Sequence, residues 1–133
     1  MLLRMLDESP GQIRWVDLTV ANAGEMSAFY QAVVGWEREP VPMGPQEQWY
    51  VRPRHGGEPV AGICDATGGN QGLPPMWLIY ITVSDLVASM DKCKKLGGEI
   101  IFGPKLFGTE GKWCVIRDPA GAVAALFEPN AVA

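Results

Sequence analysis

At 133 residues, with 47% apolar and 20% charged residues, the chain has the size and composition of a single globular domain able to bury a core. A net charge of −4 with 11 scattered Lys and Arg, and the lack of any apolar run near the roughly 20 residues that span a bilayer, speak against nucleic-acid and membrane partners. Three cysteines without a CxxC spacing and one histidine, His55, speak against a disulfide framework, a zinc site and any chemistry needing two imidazoles, and suit a reducing cytoplasm.

The opening MLLRMLDESPGQ has too short an apolar segment for a signal peptide. WVDLTV (15–20) alternates as a half-buried strand, with Trp15, Asp17 and Thr19 on one face and Val16, Leu18 and Val20 on the other. Asn22 with Glu25 forms the pattern of a capping box. Met26, Phe29, Tyr30 and Val33 then recur at helical spacing, and Gly35 suits the position after the helix end. Residues 38–47, rich in proline, are expected to be irregular. WYVR (49–52) and VAGICDA (60–66) read as strands around a turn that holds His55, and TGGNQGLPP (67–75) reads as a joint.

The pattern then restarts. WLIYITV (77–83) is a strand. Ser84 or Asp85 caps a helix carrying Leu86, Met90, Cys93 and Leu96, which ends at Gly97 and Gly98. EIIFG (99–103) is a strand, GPKLFGTEG is an irregular segment with Lys105 and Glu110, and KWCVIR, DPAG and AVAALFE form a hairpin around a type I turn. Thr19, Asn22, Val33 and Gly35 match Thr82, Asp85, Leu96 and Gly98 at one constant offset in numbering. Trp49 matches Trp113 at an offset larger by one, and the stretch 60–66 matches 122–128 at an offset smaller by one. This predicts an internal repeat of a βαβββ unit, with helices near 24–34 and 85–96.

The segments WVDLTVANAGEMSAFYQAVVGWE, PPMWLIYITVSD, KLGGEI and GKWCVIRDPAGAVAALFEP resemble the vicinal oxygen chelate superfamily of glyoxalase I, bleomycin-resistance proteins and extradiol dioxygenases. The resemblance runs from about Ile13 to Pro129. It implies an α+β fold: one domain over residues 1–133 made of two paired βαβββ modules, about 13–66 and 77–129. Their curved mixed sheet would surround a cleft, with the helices on the outer face. It also implies a homodimer.

In metal-using members of that family, cleft residues hold a divalent cation. The corresponding positions here are Trp15, Ile63, Leu78 and Ala125, none of which offers a ligand atom. No metal or other cofactor is therefore expected. Glu128 falls on the opposite strand face from Ala125 and Phe127 and is expected to end its strand in solvent.

The same parity places Trp15, Asp17, Thr19, Leu78, Tyr80, Thr82, Ala125 and Phe127 in the cleft, where Trp49 and Trp113 are further candidates for an aromatic wall. Asp17 with its repeat partner Tyr80 is the candidate acid–base pair. The competing reading has Tyr80 or a threonine hydroxyl holding Asp17 in a purely structural bond. Cys64 and Cys114 read as small apolar strand residues, and the Met43 loop VPMGP as a possible cover for the cleft. Three functions compete: a protein that binds or sequesters a small apolar or aromatic molecule without a metal, a metal-independent lyase or isomerase using Asp17, and metal-dependent glyoxalase or dioxygenase chemistry. The first is preferred. A non-catalytic subunit of a larger assembly is a fourth possibility.

Overall fold

The structure is a computed structural model that describes residues 9–43, 46–66 and 73–130. Eight strands and two helices run in the order β1 (Ile13–Val20), α1 (Ala23–Val34), β2 (Glu37–Met43), β3 (Gln46–Arg52), β4 (Ala61–Asp65), β5 (Trp77–Thr82), α2 (Leu86–Lys95), β6 (Glu99–Phe107), β7 (Gly111–Arg117) and β8 (Val123–Pro129). The class is α+β, and the βαβββ order occurs twice. The chain divides into two compact units, residues 15–78 and residues 9–14 with 79–130. Among the described residues no helix is long and apolar enough to cross a membrane.

In the first unit the strands stand in the order β2-β3-β4-β1. β2–β3 and β3–β4 are antiparallel, and β4–β1 is parallel, because the helical crossover returns the chain in the same direction. The second unit repeats this as β6-β7-β8-β5, with β8–β5 parallel. Asp17 faces Gly62 across one parallel pair, and Tyr80 faces Ala125 across the other. The offset at the last strand is therefore the same as at the first. The counterpart of Ala125 is Gly62 rather than Ile63.

Each helix covers one face of its own sheet. Leu18, Val20, Ala23, Val51, Ala61 and Ile63 form the core under α1, and Leu86, Met90, Cys114 and Leu126 form the core under α2. Full burial of a side chain such as Leu86 contributes about 1.5–3 kcal/mol. α2 buries the expected Leu86 and Met90, while Leu96 caps its end exposed. α1 keeps half of the stripe read in the sequence, with Met26 and Tyr30 packed against the core, and is rotated away from the other half. Its buried residues are Ala23 and Ser27, whereas Phe29 and Val33 are 51% and 65% exposed. The reason is polar: the Ser27 hydroxyl donates to Gly24 O at 2.9 Å and accepts from Arg38 Nη1 at 2.7 Å, so a serine can sit against the sheet fully satisfied.

Helix starts also differ between expectation and structure. Asp85 caps α2 as expected, accepting from Ala88 N at 3.0 Å. Asn22 makes no side-chain cap bond. The Asp65 carboxylate at the end of β4 accepts from Ala23 N instead, at 3.0 Å. Glu128 does the same for α2, accepting from Leu86 N at 2.8 Å with Lys112 3.9 Å away. It lies off the Ala125 face as expected, yet it is half-buried and bonded rather than in solvent.

Two stretches read as irregular are strands. Residues 37–43 pair along their length with β3, with Arg52 bound to Glu39 across the ladder, and proline is tolerated because β2 is an outer strand of its unit's sheet. The strand expected at 99–103 runs on through 104–107, read as irregular, and pairs with β7 through two register shifts. The DPAG turn forms as predicted, with Gly121 N donating to Asp118 O at 2.9 Å and Asp118 Oδ1 accepting from Ala120 N and Ala122 N. Most of the 67–75 joint, the first eight residues and the tip of VPMGP lie outside the described residues.

Candidate functional site

The face of the first unit turned away from α1 carries Trp15, Asp17 and Thr19 from β1, with Gly62 and Cys64 from β4 and Tyr50 from β3. Strand alternation puts them there, since Leu18, Val20 and Ile63 are committed to the core under α1. The Trp15 indole N–H donates to Asp17 Oδ1 at 3.0 Å, and the Trp15 ring meets Tyr50 edge-on at 5.8 Å. Gly62 makes the carboxylate possible. A Cβ there would collide with Asp17 Oδ1 and stand 3.4 Å from the indole nitrogen.

Asp17 is 3% exposed. Burial raises its pKa from 3.8 to about 7, against the lowering effect of the Trp15 hydrogen bond. Thr19 Oγ1 lies 3.5 Å from Cys64 Sγ. The structural bond expected for Asp17 is thus supplied by an indole, while the neighbouring threonine turns to a thiol. Burial, and then the Asp17 charge, push the Cys64 thiol up to about 12, and burial pushes Cys114 up to about 11, so neither is a ready nucleophile.

The second unit places Tyr80, Thr82, Trp113, Ala125 and Phe127 on the face away from α2, because Ile81, Cys114 and Leu126 take the helix side. Here the side chains form an aromatic group. Trp113 stands 5.7 Å from Tyr80, 5.0 Å from Phe102 and 6.0 Å from Phe107, and Phe107 stands 5.7 Å from Phe127. The Arg14 guanidinium lies 4.2 Å over the Phe127 ring, and Lys105 lies over Phe102. Thr82 Oγ1 is buried with no hydrogen-bond partner among the described residues. Leu78, at the start of β5, is buried within the first unit.

Trp49 does not join this set. It pairs with Ile63 and packs against the core under α1, with the Arg38 guanidinium 4.4 Å over its ring. Register equates Trp113, which pairs with Phe127, with Gln48, which pairs with Cys64. The likeness of Trp49 to Trp113 is one position out of phase and so reverses the face. Gly62 and Tyr50 were not singled out in the sequence, although a glycine inside a strand is a signal of close approach.

The chain belongs to the Glyoxalase/Bleomycin resistance protein/Dioxygenase superfamily, whose profile matches residues 12–126. It is 34% identical over 123 residues to the putative glyoxylase CFP32 of Mycobacterium bovis, covering 90% of this chain and 46% of that protein. It is 28% identical over 131 residues to the anthracycline biosynthesis protein DnrV of Streptomyces peucetius, covering 90% and 47%. The chain thus spans about half the length of these curated relatives. Methylmalonyl-CoA epimerase from Mycobacterium tuberculosis shares the fold, with a TM-score of 0.54 at 16% identity over 96% of this chain and 94% of that one.

The family resemblance raises the question of a divalent cation. Trp15, Leu78 and Ala125, with either Gly62 or Ile63, are the positions concerned, and their side chains carry no carboxylate, imidazole or thiolate. The Trp15 nitrogen bears a proton and spends it on Asp17. This donor set does not fit a metal. Among the described residues no other group of three His, Cys, Asp or Glu could hold one.

Proposed function

We propose that the chain is a small-molecule-binding protein of this superfamily, with Asp17 as the polar anchor and Trp15 as the aromatic one. The observation that carries the reading is a buried carboxyl whose space is kept open by a glycine. An asparagine would accept the Trp15 N–H at the same place without the cost of a buried charge. A carboxyl held there serves a ligand group that can share its proton. The ligand class is a small, partly aromatic molecule with one such polar group. The relatives' names, a glyoxylase and an anthracycline biosynthesis protein, belong to small-molecule chemistry.

A second reading has a specific observation behind it. With its pKa near 7, Asp17 is poised to take and return a proton at neutral pH, which suits a metal-independent lyase or isomerase.

One experiment serves both readings. A panel of aromatic ketones, acids and phenols is titrated into wild type, Trp15→Ala and Asp17→Asn by calorimetry, and each hit is followed for turnover. A binder loses about 1–3 kcal/mol of affinity with Trp15→Ala and about 1 kcal/mol with Asp17→Asn. An enzyme loses about 10²-fold or more in rate with Asp17→Asn at similar affinity. Hits that bind both variants as tightly as wild type would sink the assignment.

A further inference from the structure

The helix side of the first unit is not filled. Between α1 and β1 lies a groove of about 350 Å³. Leu18 and Val20 line it from β1, Met26, Phe29 and Tyr30 from α1, and Met76 and Trp77 from the chain entering β5. None of its lining residues is charged. Because side chains alternate along β1, this groove lies on the opposite face from Asp17 and does not depend on the function proposed above.

Its walls are braced before any guest arrives. Tyr30 meets Phe29 edge-on at 5.2 Å and Trp77 edge-on at 5.2 Å, and Trp36 stands 6.0 Å from both Tyr30 and Trp77. One polar contact crosses the groove, from Trp77 Nε1 to the Tyr30 hydroxyl at 3.2 Å. An indole nitrogen can only donate, so the phenol oxygen is the acceptor, and its own proton is left to donate elsewhere. The groove therefore offers aromatic surface, methionine thioethers that adapt to shape, and one hydroxyl donor.

We propose that this groove is a separate binding site for a neutral, flat molecule of about two fused rings that carries a carbonyl-type hydrogen-bond acceptor. The size follows from volume: a cavity of about 150 Å³ takes up benzene, so one of about 350 Å³ takes a two-ring skeleton with a substituent. The acceptor follows from the Tyr30 proton. The lack of charge on the guest follows from a lining with no counter-ion.

The test uses the full chain with ¹³C-methyl methionine and two probes, 2-acetonaphthone, which has the acceptor, and 2-isopropylnaphthalene, which lacks it. The Met26 and Met76 methyl signals should shift and saturate with both. Tyr30→Phe should weaken 2-acetonaphthone about threefold to tenfold and leave 2-isopropylnaphthalene within about twofold. Phe29→Ala, at a half-exposed position that folding tolerates, should weaken both about fivefold. No shift of the two methyl signals up to the solubility limit overturns the proposal, as does an equal loss of both probes in Tyr30→Phe. If the same signals move on dilution without any probe while the mass falls from dimer to monomer, a second copy of the chain fills the groove, and the proposal is likewise overturned.

Discussion

Asp65 and Glu128 hold equivalent places in the two units and do the same work: each accepts a hydrogen bond from the first backbone N–H of its own unit's helix, Ala23 in one case and Leu86 in the other. The two amides are separated along the chain by the same interval as the two carboxylates. This cap comes from the end of the unit's last strand; in α1 it stands in place of one from Asn22, and in α2 it adds to the Asp85 bond to Ala88 N. It satisfies an orphan donor and sets a negative charge against the positive end of the helix dipole.

Loss of these caps should be measurable. Asp65→Ala and Glu128→Ala should each cost about 1 kcal/mol in urea denaturation, the usual worth of a helix cap. Asn22→Ala should cost much less, because that side chain caps nothing. An Asn22→Ala loss equal to that of Asp65→Ala would place the α1 cap on the wrong residue.

Gly62→Ala should destabilise the fold by about 1–3 kcal/mol, the range for overpacking a filled space. The added methyl collides with Asp17 Oδ1, and the carboxylate cannot move without breaking its bond to Trp15. Asp17→Ala in the same chain should recover part of the loss. A double variant no more stable than Gly62→Ala alone would separate the two residues.

Asp17 should make stability fall as pH rises. Burial lifts its pKa from 3.8 to about 7, so between those values the folded chain holds a proton that the unfolded chain has released. The stabilisation is complete below about pH 4 and is lost as the pH climbs through about 7. Asp17→Asn keeps the shape and does not titrate. Relative to wild type the variant should therefore gain stability between about pH 4 and pH 8, by up to the order of 4 kcal/mol. Denaturant unfolding at several pH values checks this, and a constant difference between the two proteins would refute it.

Addition of zinc, nickel, manganese or iron(II) should leave the melting temperature unchanged, and dialysed protein should retain no stoichiometric metal. The expectation rests on the side chains at Trp15, Gly62, Leu78 and Ala125. One equivalent of metal that survives dialysis and leaves with Asp17→Ala would mean that Asp17 anchors a ligand set of another kind.

The sequence carried the repeat, both helices and the Asp17 face, because alternation and capping residues act over a few positions and are local signals. β2 was hidden by Pro40 and Pro42, since proline marks irregular chain as readily as an outer strand. The rotation of α1 was hidden because it depends on Arg38, well beyond Ser27 in the chain. Trp49 matches Trp113 in residue type, but its spacing is one position out of phase, which puts it on the other face of the sheet. The groove under Phe29 and Trp77 depends on how a helix lies on a strand, which no periodicity encodes.

The changes in spacing along the repeat have a consequence for how such a chain can vary. The offset from Gln48 to its register counterpart Trp113 exceeds the offset from Cys64 to Phe127 by two. The second unit has thus gained a pair of positions before its third strand, and its following hairpin is shorter by a pair. Both differences are even, so every side chain beyond them keeps its side of the sheet. Insertions and deletions in this architecture are filtered by parity. Losing a pair of residues from the Pro53–Val60 connection only tightens a turn, while losing a single one, if carried into the pairing, would turn Gly62 and Cys64 toward the helix and Ile63 toward Asp17.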